Sequence, residues 1–215
     1  LDVMIHSMRH RGPDDEGTFV DGQVGLGHRR LAIVDLSPAG HQPMFSADRR
    51  FCIVFNGEIY NYRELRSELQ QLGYHFTSDC DTEVLLKAFH RWRLDALPRL
   101  VGMFAFAIWD EHARELVLVR DHLGVKPLYW LEHGGALAFG SEVRSLLALD
   151  LIPRIVNGAV IALVDRLHHH QGVVEERLLQ VRPAGAAAGD ERLPDHARRH
   201  LVLDSRPDLV PIPHG

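Results

Sequence analysis

The chain has 215 residues, 46% of them hydrophobic and 25% charged, with a formal net charge of −5. That length holds one large domain, or one domain and a tail, and the composition is that of a soluble globular protein. The acidic balance gives no electrostatic case for nucleic acid or an anionic membrane, and no apolar run is long enough to cross a bilayer. Two cysteines, Cys52 and Cys80, make neither a disulfide framework nor a zinc site, so a reducing, cytoplasmic compartment is the default.

Leu1, Met4, Ile5 and Met8 recur at helical spacing, and Gly12-Pro13 stops that helix. The stretch Arg9 to Gly17 reads as a charged surface loop, and an acid–base role for Asp14 and Asp15 is the minority reading. Val24 to Asp35 predicts one or two strands in which Arg29 and Arg30 sit among apolar neighbours. A partly buried guanidinium needs an anion: an internal carboxylate is the commoner partner, the carboxylate of a ligand the other. Ser37 to Pro43 is loop.

Phe51 to Phe55 is a buried strand, broken by Asn56-Gly57. An Asn-Gly turn is the plain reading of that dipeptide. The other is a side-chain amide and a bare backbone N–H held toward an oxyanion at a strand end. Asn61 and Glu64 then form a capping box, Leu65, Leu69 and Leu72 mark one helix face, and Gly73 stops the helix. Tyr74 to Thr77 predicts a short strand. Asp81 caps an amphipathic helix carrying Val84, Leu85, Ala88, Phe89 and Trp92, or else offers its carboxylate to a ligand ammonium.

Met103 to Trp109 alternates large and small residues and pairs through the polar turn Asp110 to Arg114 with Leu116 to Arg120. A loop to Pro127, strands at Leu128 to Leu131 and Leu137 to Gly140 about a Gly134-Gly135 turn, and a helix over Glu142 to Leu149 complete the pattern. The order of elements is α+β, not βαβ alternation. From about residue 150 the character changes: no aromatic residue follows Phe139 and no lysine follows Lys126. Residues 1–149 are therefore expected to form the domain. Residues 150–215 are expected to form an irregular tail, disordered or frame-shifted, as a GC-rich gene read out of frame would give.

Seven stretches in order, RHRGPDDEG, GHRRLAIVD, FNGEIYNYRELR, DTEVLL, GMFAFAIWD, RDHLGVKPLY and FGSEV, resemble the glutaminase domain of the asparagine synthetase (glutamine-hydrolysing) family, a class II glutamine amidotransferase. The resemblance implies an N-terminal-nucleophile hydrolase fold, a four-layer αββα sandwich that is incomplete here. In it an N-terminal Cys, with its own amine as base, releases ammonia from glutamine. Carried over by position, it implies that Arg30 takes the glutamine α-carboxylate, Leu31, Ala32, Ile33 and Val34 line the site, Asn56 and Gly57 form the oxyanion hole, Glu58 sits against the substrate and Asp81 binds the α-ammonium.

The chain starts at Leu1, not Met, and neither cysteine stands where the nucleophile belongs. The expectation is an N-terminally truncated domain that lacks the nucleophile's strand and hydrolyses no glutamine alone. No cofactor is expected in this domain. ATP and magnesium are implied for a synthetase domain normally in the same chain, which would amidate aspartate or a related acceptor. A homodimer is an open option. The alternative function is a non-catalytic, degenerate glutamine-binding module or gene fragment.

Overall fold

A computed structural model describes residues 1–32 and 37–150, together with the backbone of two further strands, Leu178–Val181 and Leu201–Val202. In chain order the elements are α1 (Asp2–Ser7), β1 (Asp15–Asp21), β2 (Val24–Arg30), β3 (Met44–Phe45), β4 (Phe51–Ile59), α2 (Tyr62–Gln71), α3 (Asp81–Trp92), β5 (Gly102–Asp110), β6 (Glu115–Arg120), β7 (Tyr129–His133), β8 (Ala136–Gly140), α4 (Val143–Leu147), β9 (Leu178–Val181) and β10 (Leu201–Val202). One sheet runs β10-β9-β6-β5-β4-β3, antiparallel except at β10. Two antiparallel hairpins, β1-β2 and β7-β8, form the second strand layer.

The period of two along β4 and β5 assigns the layers. Phe51, Ile53, Phe55, Phe104, Phe106 and Ile108 face α2 and α3 and bury Leu65, Leu69, Val84, Leu85 and Phe89. Cys52, Val54, Ala107 and Trp109 face the hairpins, where Leu26, Phe19, Leu137 and Phe139 meet them. Beyond the hairpins α1 packs on β2 and α4, and α4 on β8. The result is helix, sheet, sheet, helix. The large–small alternation of β5 thus has a purpose: bulky residues fill the helix side, and Ala105 and Ala107 leave room on the hairpin side.

Several local expectations change. β4 does not break at Asn56-Gly57 but runs on to Ile59, because Gly57 lacks the Cβ that would collide with β5. Asn61 does stand at the N-cap of α2, yet its side chain makes no cap bond. It instead bridges to Arg99 O and Val101 N–H, at 2.9 and 3.0 Å. Leu72 is exposed as the C-cap, while Gly73 follows at φ +91°, the left-handed stop. Tyr74 to Thr77 is not a strand, since the Thr77 and Ser78 N–H groups go to the Glu83 carboxylate rather than to a ladder. Gly134 and Gly135, at φ +60° and +77°, make the expected hairpin turn. The expected tail from about residue 150 falls largely outside the described residues. Within it, Leu178–Val181 lies antiparallel against β6.

Candidate active site

The site grows from the far end of β4. Asn56 shares a face with Cys52 and Val54, so its side chain points to the hairpin side, where Ser141 Oγ lies 3.5 Å from Nδ2. Gly57 sits opposite Phe104. Phe104 donates its N–H to the Asp121 carboxylate and accepts from Asp121 N–H, so it is turned toward β6. In an antiparallel ladder the pair Gly57–Phe104 is then the non-bonded kind, and the Gly57 N–H faces away from β5. A Cβ at Gly57 would lie 2.3 Å from Met103 O and 2.7 Å from Phe104 Cα. Only glycine lets the strands close here.

The same outer edge of β4 is occupied on either side of Gly57. Phe55 N–H donates to Gln42 Oε1 at 2.6 Å, His28 Nε2 lies 3.0 Å from Phe55 O, and Ile59 N–H donates to Asp81 Oδ2 at 3.0 Å. His28 Nδ1 is buried without a partner among the described residues, which costs about 1–3 kcal/mol. Burial also pushes the His28 ring down to about 4, against the pull of the Phe55 carbonyl, so it is neutral at ordinary pH.

Asp81 is not the cap of α3. Cys80 holds that place, and Asp81 is the first helical residue, 6% exposed, its carboxylate turned back to β4. Burial raises its pKa above the usual carboxylate range, against the Ile59 and Thr82 N–H groups that lower it. A carboxylate short of counter-charge in a cleft attracts a cation. Two residues on, Glu83 ties the preceding loop to the helix. It accepts from Thr77 N–H, Thr77 Oγ1, Ser78 N–H and Ser78 Oγ at 2.7–3.1 Å and pairs with Lys87.

On β2, Leu26, His28 and Arg30 share the face that looks toward the large sheet, and Arg29 lies on the other. Arg29 has the internal carboxylate that a buried guanidinium requires: it pairs with Glu16 and donates to Gly12 O at 2.9 Å. Arg30 donates to Ser37 O at 2.9 Å and packs against Gly40, where a Cβ would be 2.2 Å from Nη2. Ala32 N–H donates to Asp14 Oδ2, and Ala32 lines a smaller neighbouring cleft with Asp14, Asp15 and His41. Ile33 and Val34 lie outside the described residues.

Arg30, Leu31, Asn56, Gly57, Glu58 and Asp81 all line one open cavity of about 760 Å³ between the large sheet and the two hairpins. Ala32 is not among its walls. Arg30 and Asp81 put a cation and an anion on the same cavity as the Asn56 amide, and the Gly57 N–H lies on the edge that faces it. A ligand with both an ammonium and a carboxylate, and a carbonyl further along, matches that set. The cysteines do not add a nucleophile. Cys52 is 2% exposed in the core, and burial pushes its thiol up to about 12. Cys80 is buried against Ser78 Oγ, and burial raises its thiol too. Both are thiols, not thiolates, at neutral pH.

Three residues here were not singled out by sequence reasoning: His28, Gly40 and Gln42. Alternation in VGLGHRR does put His28 on the face of Leu26 and Arg30, a usable signal. Nothing local marks Gly40 or Gln42, whose partners Arg30, Phe55 and Thr82 are 10, 13 and 40 residues away.

A family model described as "Glutamine amidotransferase domain" matches residues 1–183, reaching past the change of composition near residue 150. Asparagine synthetase [glutamine-hydrolyzing] 1 of Bacillus subtilis is 48% identical over 138 residues, covering 64% of this chain and 22% of that protein. Asparagine synthetase [glutamine-hydrolyzing] 3 of the same organism is 42% identical over 151 residues, 69% of this chain and 24% of the relative. The chain thus spans about a quarter of the length of the curated relatives it matches. Among solved structures, glutamine phosphoribosylpyrophosphate amidotransferase from B. subtilis superposes with a TM-score of 0.58 at 24% identity, over 69% of this chain and 39% of that one. That likeness bears on the fold, which is the N-terminal-nucleophile hydrolase sandwich.

Proposed function

Taking as premise that the chain belongs to the glutamine amidotransferase domain family, we propose that its cavity binds L-glutamine and offers the side-chain amide for hydrolysis to ammonia. The observation that carries this reading is the meeting of Arg30, Asn56, Gly57 and Asp81 on one cavity. Arg30 takes the α-carboxylate through its planar fork, and Asp81 takes the α-ammonium. Leu31 and Glu58 bound the ligand; Ala32, which lines the neighbouring cleft instead, does not, and Ile33 and Val34 keep the role that the resemblance implies.

The chemistry is acyl transfer. A thiolate forms a bond to the amide carbon, and the carbonyl electron pair moves to oxygen, where the Asn56 amide and Gly57 N–H hold the charge. The tetrahedral centre collapses, the C–N bond breaks, and the nitrogen leaves as ammonia with a proton from the amine beside the nucleophile. Water then cleaves the thioester to glutamate. Cys52 lies in the core, and Cys80, though on the cavity, is buried against Ser78 Oγ; burial raises both thiols, so neither is taken as the source of the thiolate. The resemblance implies that it lies on an N-terminal strand, and β2 and β8, each paired on one side only among the described residues, border the cavity where a strand would fit. The relatives' names describe glutamine-hydrolysing asparagine synthetases; by the resemblance, the ammonia would serve ATP- and magnesium-dependent amidation of aspartate or a related acceptor, by parts of the relatives beyond this chain. We extend the proposal to a cytoplasmic enzyme, with homodimer formation open; no described helix is long and apolar enough to cross a membrane.

Calorimetric titration of the chain tests the binding. L-glutamine is expected to bind weakly but saturably and L-glutamate less well, with no ammonia released. Absence of glutamine binding would overturn the reading. Ammonia release by the chain alone would overturn the assignment of the nucleophile. Binding that no added Cys-led peptide converts to turnover would favour the second reading, a non-catalytic glutamine-binding module, which the two buried thiols support.

A further inference from the structure

β4 is longer than the strand beside it. β3 covers only Cys52 and Ile53, yet β4 continues to Ile59. A bare length of strand edge exposes polar groups that want partners. At Phe55 two side chains provide them: Gln42 Oε1 accepts the N–H at 2.6 Å, and His28 Nε2 lies 3.0 Å from the carbonyl. A neighbouring strand would bind both groups of one residue in just this way.

Phe55 is the residue before the Asn56-Gly57 corner. Its carbonyl lies in the same rigid peptide plane as the Asn56 N–H, so holding it fixes the direction in which the Asn56 side chain leaves β4, which runs on to Ile59. Gln42 is itself held, Nε2 donating to Thr82 Oγ1 at 3.3 Å, in the first turn of α3 beside Asp81. The corner and the carboxylate are therefore joined through one buried amide.

We propose that His28 and Gln42 are positioning residues for this corner: together they replace the missing strand and aim the Asn56 amide and the Gly57 N–H at the substrate carbonyl. The proposal rests on the glutamine reading of the cavity. A residue that only filled space would serve better without polar atoms. The Phe55 carbonyl can only accept, so Nε2 carries the ring proton and Nδ1 is left as an acceptor. That Nδ1 is buried with no partner among the described residues, and its cost is borne at the place where the ring clamps the corner. The ring's low pKa keeps it neutral at neutral pH, and the Phe55 carbonyl, which can only accept, selects the Nε2-protonated tautomer.

The test uses the full chain, labelled with ¹⁵N. Between about pH 5 and 8 the wild-type His28 ring should show the neutral, Nε2-protonated pattern. His28→Leu and Gln42→Leu should each weaken L-glutamine binding about tenfold or more and shift the Asn56 side-chain and Gly57 amide resonances. His28→Gln, whose amide N–H can still reach the carbonyl, should recover most of both. A Nδ1-protonated ring, corner resonances that stay put in the leucine variants, or equal losses in His28→Leu and His28→Gln would each overturn the proposal. If the leucine variants do not fold, the wild-type tautomer and His28→Gln decide. If the wild type binds no glutamine, the function reading fails, and the tautomer and the corner resonances still judge the positioning role.

Discussion

Replacing Glu83 by Gln removes a charge and almost no volume, at the residue that holds the loop before α3 and so holds Asp81 in place. The residue is 5% exposed. Burial alone would raise its carboxyl; the Lys87 ammonium, the Ser78 hydroxyl and the Thr77 and Ser78 N–H groups outweigh that and bring it from the ordinary 4.5 down to about 2. At about 1.4 kcal/mol per tenfold, that drop is worth about 3 kcal/mol of folding stability at neutral pH. The sign follows from the depression. The contribution is complete above 4.5, where the unfolded chain has also ionised, and drains away as pH falls from 4.5 to about 2. Urea unfolding followed by tryptophan fluorescence reads it directly, since Trp109 is 1% exposed. Glu83→Gln should lose about 3 kcal/mol at pH 7, and the gap to wild type should be about 2 kcal/mol smaller at pH 3. A gap that is the same at both pH values, or is below about 1 kcal/mol at pH 7, would refute the reasoning.

The raised Asp81 carboxyl must be ionised to receive an ammonium, so glutamine affinity should fall as pH drops through its pKa. Asp81→Asn should bind weakly with a flat pH profile by calorimetry, and a variant that keeps the wild-type slope would exclude the pairing. Arg30→Lys keeps the charge but loses the planar fork and should weaken glutamine about tenfold. It should not weaken 4-aminobutanamide, which lacks the α-carboxylate; equal losses for both ligands would make Arg30 structural. Gly57→Ala places a Cβ 2.3 Å from Met103 O, and Gly102→Ala one 2.2 Å from Glu58 O, so β4 and β5 must part. Each should cost about 1–3 kcal/mol in urea unfolding, and unchanged midpoints would show that the strands do not need this approach.

What the sequence made legible was what depends on neighbours within a few residues. The apolar runs Phe51 to Phe55 and Met103 to Trp109 became the two central strands, Leu65 and Leu69 the buried helix face, and Gly73 and Gly134-Gly135 the turns. What stayed hidden was which partner each polar group takes across the fold: the setting of Arg29 called for an internal carboxylate, but not for Glu16. Asn61 scored as half of a capping box because Glu64 is three residues on, but its side chain found Arg99 and Val101 instead. Tyr74 to Thr77 scored as a strand on residue type, yet strand formation needs a ladder partner, and Glu83 had already taken the N–H groups. Of the two readings of Asp81 the cap fails, because its carboxylate reaches 22 residues back to Ile59. These misses have one cause. A carboxylate, amide or imidazole chooses its partner after the apolar layers have set the distances, so pattern fixes the layers and cannot see the choice. The cavity is where those choices accumulate: small residues on β5 open it, two glycines let the strands close beside it, and the polar groups left along the edge of β4 give it chemistry.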